Sequence, residues 1–565
     1  MRLDPGQNRN RPGERLRRGA RSAALLFAIL GGAACRRPEI SRSSPAAVGF
    51  LDESGAGIPR DGGTLYRRLE GEPSTLNPLL QTDDWATSVV ANVARNLVDY
   101  DKKLRPVGGL AEKWEVSPDS LTWTFHLRAD AAWEDGTPVT SRDAIFTLKT
   151  AADPKVPAFL FAPGLEGLES ADELDARSFR VRFKKPYAFR TSAFNIPLVS
   201  EARNRGRDFL LSPDDRAPFS NGPYRVARWK SSESIELVRN PAFKGPRAPF
   251  DRVVFRILPD AVQSYRALER GEVDEMRLST EQWRAAATDA RFTRCCRTAL
   301  FYDLSYFYIG YNNRSPVFAD VPTRRAMTML LDRGRLVRDL FFGTARILSG
   351  PWAADAEVYD STVAPYPFDP AGARTLLAQA GWSDSDGDGI LDRGGRKFEF
   401  DLLYGAGSTS AQQVCEVFQR DLEKAGIVCR PRAVEWAAFT KRMDAGEFDA
   451  IASSWSGDPN PDLSGYWASS QGPPNGLNNL SYANPEVDRL LDAAKVELDP
   501  ARRLDLFHRI HRLIHDDEPA TFAFQSAQKY ALSRSIGGLV TTPVGLYRFW
   551  PGSAGWWRRA VPPAP

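Results

Sequence analysis

Residues 110–148 change their hydrophobic period once, and that change sets the reading of the rest of the chain. Leu121, Trp123, Phe125 and Leu127 alternate with Thr122, Thr124, His126 and Arg128. This is the period-2 pattern of a half-buried strand. Pro118-Asp119 precedes it and Glu134-Asp135-Gly136-Thr137-Pro138 follows it; Gly and Pro there supply the backbone angles of turns. Thr140 or Ser141 then caps a helix whose inner face carries Ala144, Ile145 and Leu148.

The same alternation predicts strands at 179–183 (Phe-Arg-Val-Arg-Phe), at Ile235 and Leu237, at Val253, Phe255 and Ile257, and over 306–313. Helices are expected over 265–270, stopped by Gly271, and over 324–331. Two more begin at Asp369-Pro370 and Asn484-Pro485, the first ended by Gly381. Their inward residues are Leu376 and Leu377 in one, and Val487, Leu490 and Leu491 in the other. A strand at 398–403, a helix over 410–425 and a strand at 427–429 form a β-α-β unit. Mixed elements of this kind make the chain α/β.

The 565 residues, 42% hydrophobic, are enough for two or three domains with substantial cores. The formal charge of +4 conceals an uneven start. Residues 1–34 hold seven Arg against Asp4 and Glu14, so the remaining chain is close to −1. A near-neutral body argues against nucleic acid as a partner, which requires a clustered basic footprint. Arg15, Arg17, Arg18 and Arg21 precede an apolar run over 23–34 that is too short to span a bilayer and suits the core of an export signal. Gly32-Ala33-Ala34-Cys35 resembles a bacterial lipobox, with Gly32 where Leu is commonest. Lipid on Cys35 would hold the protein at a membrane surface; an ordinary cleaved signal is the alternative. Residues 36–60, rich in Ser, Pro, Gly and Ala, read as a flexible tether. Four further cysteines, Cys295, Cys296, Cys415 and Cys429, leave disulfide connectivity open, a Cys415–Cys429 bridge among the options.

The tract LAxxWxxSxDxLTxTFxLRxxxxWxDGTPVTxxDxxFTL in residues 110–148 resembles the signature region of the family 5 solute-binding proteins. These are the peptide- and nickel-binding extracytoplasmic receptors of bacterial ABC importers. Relatives usually carry a Pro-Gly turn where this chain has Ala129-Asp130-Ala131-Ala132. Glu72-Pro73-Ser74-Thr75-Leu76-Asn77-Pro78, Asn221-Gly222-Pro223-Tyr224-Arg225-Val226 and Arg239-Asn240-Pro241 match the same family. The resemblance implies a two-lobed periplasmic-binding-protein fold of type II-like form with an additional inserted domain. It divides the chain into a signal (1–35), the tether (36–60), a discontinuous lobe I (61–95, 200–300 and 526–565), the inserted domain (96–199) and lobe II (301–525). Ligand is then expected in the cleft between lobes that close about a hinge. The implied partners are a short peptide or similar solute and the permease and ATPase subunits of an importer, with the receptor itself a monomer. The alternatives are a nickel chelate or oligosaccharide in the same fold, or a surface lipoprotein without a transport role.

Asp458, in Ser454-Trp455-Ser456-Gly457-Asp458-Pro459, stands in a Gly- and Pro-containing loop. By itself this is an exposed carboxylate of no consequence. The resemblance implies more, because peptide receptors of this family use a Trp-x-x-Asp whose aspartate pairs with the ligand's α-ammonium, and Trp455 and Asp458 have that spacing. Trp455 and Trp467 pack either against ligand or within the lobe, and Asn312 and Asn478 are candidate polar lining. Asp384, Asp386, Asp388 and Asp392, with Gly389 at position 6, look like the first part of a calcium loop with a structural ion. Gly395 stands at position 12, where a bidentate Glu is expected; a solvated acidic turn is the other reading. No cofactor is otherwise required. His508, His511 and His515 share one side of a helix and read as its amphipathic edge in preference to a metal site. No GxSxG, HExxH or GxxxxGK[ST] motif is present, so no enzymatic chemistry is expected.

Overall fold

The alternating segments become strands of three larger sheets in the computed structural model, which describes residues 48–560 except Ala56, Asp458 and Asn475. The first sheet has seven strands. Their spatial order is Cys296–Phe301, Gln528–Ser533, Glu275–Arg277, Thr64–Leu69, Arg252–Ile257, Ser234–Arg239 and Tyr224–Lys230. Thr64–Leu69 pairs in parallel with both of its neighbours, and the other pairings are antiparallel. Ile235, Leu237, Val253 and Phe255 are buried together in its core. Burying one such side chain fully stabilises the fold by about 1.5–3 kcal/mol. Thr64–Leu69 breaks the apolar rule at one point: Arg67 is buried between Leu65 and Leu69.

The second sheet is antiparallel, in the order Ala111–Val116, Thr122–Leu127, Ser178–Phe183, Leu168–Asp175. Trp123, Phe125 and Leu127 are buried against Phe179, Val181 and Phe183, as the alternation requires. Helix Ser141–Ala152 packs here through Ala144 and Leu148. Its start is fixed by Asp143, whose carboxylate accepts the backbone N–H of Thr140 at 2.8 Å and its hydroxyl at 3.0 Å, the reciprocal logic of a capped first turn.

The third sheet has six strands, in the order Ala345–Ile347, Ala520–Ser526, Tyr306–Tyr311, Ala450–Trp455, Glu399–Gly405, Val428–Val434. The β-α-β unit is present: Glu399–Gly405 and Val428–Val434 are parallel and joined by helix Thr409–Glu423. Its helix buries Val414, Cys415, Phe418 and Leu422 in the core of this sheet. Two short passages connect the third sheet to the first. Residues 302–305 lead from Cys296–Phe301 to Tyr306–Tyr311, and Ala527 alone separates Ala520–Ser526 from Gln528–Ser533.

Two expectations need correction. Order does not wait for residue 61: described residues before it are tied to the body of the chain, in a small three-stranded sheet and by ion pairs. Pro59–Arg60 pairs with Trp557–Arg559, and Glu53 takes Arg297 at 2.6 and 2.8 Å and Arg559 at 3.1 Å. The low apolar content of this segment concealed a docking that is largely polar. Cys415 and Cys429 are buried and free, and the disulfide joins the adjacent Cys295 and Cys296. The proposed signal and Cys35 lie outside the described residues. Among the described residues no helix is long and apolar enough to cross a membrane.

Candidate functional site

A cavity of about 430 Å³ lies where the two connected sheets meet. The first sheet contributes Glu275, Arg277 and Tyr530, and the third contributes Phe307, Trp455 and Phe524. Both connecting passages reach it, through Asp303 and Ser305 in one and the flanking Ser526 and Gln528 in the other. Asp84 and Trp85, at the start of helix Asp84–Val93, lie on its rim. Gln525 is fully buried and donates to Asp303 O at 2.5 Å and Asp355 Oδ2 at 3.2 Å, tying strand Ala520–Ser526 to the passage at Asp303.

Two arginines of the wall, Arg67 and Arg68, and Glu275 are held within the chain. Arg67 donates from Nε to Glu275 Oε2 at 3.0 Å and from Nη1 to Ser553 Oγ at 3.0 Å. Its guanidinium also lies over Phe255, Trp556 and Tyr547, at 5.2, 5.2 and 5.7 Å. Register explains the pair, because Glu275 and Arg67 stand directly opposite on neighbouring strands. Arg68 is held by Glu70 at 3.0 Å and by the Leu258 and Pro259 carbonyls. Burial pushes the Asp303 carboxyl above the usual range, although the Ser305 N–H bonded to it and the charge of Arg277 act the other way.

Of the residues singled out from sequence, Trp455 is on the cavity. Its ring stands edge-on to Tyr466 at 3.9 Å and near-parallel to Tyr306 at 6.4 Å, so one face is fixed by the protein. Asp458 lies outside the described residues, whereas the preceding Ser456 and Gly457 line the cavity. Trp467 does not line it; this ring is buried against Tyr482 and Phe522. Asn312 and Asn478 do not line it either. The Asn312 amide donates to Gly446 O and Phe448 O, at 3.2 and 2.9 Å. That of Asn478 donates to Ala468 O and Tyr482 O, at 3.0 and 2.8 Å, and its oxygen accepts the Tyr482 N–H. Buried backbone carbonyls need donors as much as a ligand does, and these two amides serve the chain. Arg67, Glu275, Arg277 and Asp303 were not anticipated. For Arg67 a signal existed, a charge at an inward position between Leu65 and Leu69.

No residue of the acidic loop lines this cavity. Oxygens of Asp384, Asp386 and Asp388 come within 4.8 Å of one another. They are committed within the chain: Lys397 takes Asp386 and Asp388, at 2.6 and 2.9 Å, and Asp384 accepts the N–H groups of Gly387 and Gly389. Asp392 turns away to Ser385. The four aspartates therefore do not converge as one donor set. The histidine stripe is a half-buried helix edge with one member drawn fully inside. His511 is fully buried, with Nε2 3.1 Å from Ser349 Oγ, and burial lowers its pKa to about 4. His515 stacks on Tyr366 at 4.4 Å.

Comparison with known proteins gives this arrangement a context. The oligopeptide-binding protein AppA of Bacillus subtilis is 28% identical over 532 residues, covering 92% of this chain and 94% of AppA. The structure of that protein in complex with a nonapeptide superposes with a TM-score of 0.77 at 26% identity, over 89% of this chain and all of the other. NikZ from Campylobacter jejuni, in complex with Ni(L-His), has the same TM-score at 21% identity, over 89% and 100% of the two chains. Fold and cleft together define a two-lobed periplasmic-binding-protein fold. The model of the bacterial extracellular solute-binding proteins, family 5, matches residues 105–476, nearly two thirds of the chain. The chain belongs to that family.

Proposed function

We propose that this protein is the extracytoplasmic receptor of an ABC importer, capturing short peptides in the cavity between its two connected sheets. The observation that carries the reading is the cavity itself. About 430 Å³ is bounded by strands of both sheets and by the two passages that join them, within the roughly 300–1,000 Å³ usual for small-ligand pockets. The oligopeptide-binding relative and its nonapeptide complex supply the ligand class. In this reading, lobe I comprises 61–95, 200–300 and 526–565, the inserted domain 96–199 and lobe II 301–525. Residues 302–305 and Ala527 act as the hinge. Ligand favours the closed arrangement, which the permease recognises. A lipid on Cys35 holds the receptor at the membrane, and the protein works as a monomer with no catalytic step and no required cofactor.

Extended peptides are held largely by backbone hydrogen bonds, with Trp455 as one apolar wall. Asp458 is assigned the ligand's α-ammonium. Loss of one partner of a desolvated charge pair costs about 2–5 kcal/mol, so Asp458→Ala should weaken peptide binding at least tenfold, to at least ~10 times the original Kd. The test is a thermal-shift assay of the full chain with a pool of short peptides bearing free amino termini, and the same pool N-acetylated. Binding to the native state raises the melting temperature by mass action. A rise that acetylation abolishes supports peptide capture through Asp458. A rise with both pools retains peptide capture and removes Asp458 from its centre. No rise with either pool refutes the peptide reading.

A further inference from the structure

Arg277 stands apart from the other arginines of the cavity. Strand Glu275–Arg277 sits between Thr64–Leu69 and Gln528–Ser533, and its alternation turns Met276 into an apolar core while Glu275 and Arg277 share the cavity face. Glu275 is engaged by Arg67. Arg277, opposite Tyr530 in the register, is exposed between buried Met276 and Leu278. Among the described residues its guanidinium has no hydrogen-bond or ion-pair partner. Glu70 and Asp303 act on it only through space, and each is otherwise occupied, Glu70 by Arg68 and Asp303 by the Ser305 N–H.

A second cation sharpens the imbalance. Lys529, buried on the adjacent strand Gln528–Ser533, donates its ammonium to Ala527 O at 2.9 Å. Burial, with the charge of Arg277 adding to it, lowers its pKa to about 8. A guanidinium presents five N–H donors in a planar fork that matches a carboxylate at two points. Inside a cleft, with no protein acceptor, that fork is complementary to an anion supplied from outside the chain.

We propose that Arg277 is the anchor of a carboxylate on the captured ligand, so that the receptor selects solutes that place an anionic group against the seven-stranded sheet. The inference rests on peptide capture for its ligand class, in which the carboxylate belongs either to the C-terminus or to an acidic side chain.

The experiment is a titration of tryptophan fluorescence in the full chain, since Trp85 and Trp455 both border the cavity. Four probes are used: penta-alanine, penta-alanine amide, penta-alanine amide with glutamate at the third position, and the non-peptide tricarballylate. The expected result is that penta-alanine or the glutamate peptide binds at least tenfold tighter than the neutral amide, the tighter of the two naming the source of the carboxylate. Arg277→Gln should reduce that ratio to about one, and Arg277→Lys, which retains the charge without the fork, should leave an intermediate ratio. A melting temperature for each variant identifies any that fails to fold, in which case the lysine variant carries the test. A ratio near one in the natural protein, or a ratio unchanged by either substitution, overturns the proposal while leaving peptide capture intact. Binding of tricarballylate alone, lost in Arg277→Gln, supports the carboxylate anchor and overturns peptide capture. Binding of none of the four overturns both.

Discussion

The buried pair of Arg67 and Glu275 is the most exacting test of how the cavity wall is held. Their residues are 2% and 3% exposed, so Arg67→Met removes one charge of a pair that has left water. Breaking such a pair costs about 3–5 kcal/mol, because the remaining ion is uncompensated. Here the lower end applies. Glu275 borders the cavity, from which water can relieve part of the penalty, and Met keeps most of the packing against Phe255 and Trp556. The expected loss is therefore about 3 kcal/mol, accompanied by loss of the Ser553 hydrogen bond. The assay is urea unfolding of the full chain followed by far-ultraviolet circular dichroism, read as a change in midpoint at constant slope. The double variant Arg67→Met, Glu275→Leu removes both charges and should recover at least half of the loss, since apolar replacement of a buried pair is often neutral or better. A single-variant loss below about 1 kcal/mol would refute the argument, because it would put the pair in the class of exposed ion pairs. So would a double variant as unstable as the single one.

What could be read from the sequence was what is decided locally. Trp123, Phe125 and Leu127 alternate within six residues, and Asp369-Pro370 and Asn484-Pro485 cap and open their helices by contacts two or three residues away. Such features carry their own physical cause. The cavity wall does not. Arg67 and Glu275 are 208 residues apart, and only the pairing of Thr64–Leu69 with Glu275–Arg277 makes the arginine tolerable at an inward position. Asn312 and Asn478 stand off the cavity wall for a different reason. A buried carbonyl and a bound solute ask the same thing of an amide, so residue type alone cannot separate structural from ligand-facing asparagine. The acidic loop shows the same ambiguity, because Lys397, from beyond the motif, takes carboxylates that a cation would also use. Family resemblance supplied the fold and pointed to Trp455, and no alternation pattern would have done so.

Two further predictions probe the passage beside the cavity and the core behind it. A methyl built on Gly457 falls 2.3 Å from both Cβ and the carbonyl oxygen of Leu304, so Gly457→Ala must push the loop off the connecting passage at a cost of about 1–3 kcal/mol. If the passage is the hinge proposed above, peptide affinity should fall about tenfold, ~1.4 kcal/mol, and an unchanged titration would refute the coupling of this loop to the ligand site. The other prediction concerns Glu518, fully enclosed beside Arg333, Arg324, Arg325 and Tyr311, with Oε1 accepting from Thr328 at 2.8 Å. Burial raises its pKa to about 8, and the arginine charges do not reverse this. The folded state therefore keeps a proton that the unfolded chain releases near its ordinary carboxylate value. Between those two values the unfolded state binds fewer protons, so this residue makes stability fall as pH rises from about 4.5 to about 8. Glu518→Gln carries no such proton. Whatever constant difference it introduces, its stability relative to the natural protein should climb through that window and level off above it, as measured by urea midpoints at five pH values. A difference that stays flat would mean that Glu518 is ionised in the fold, with the three arginines outweighing its burial.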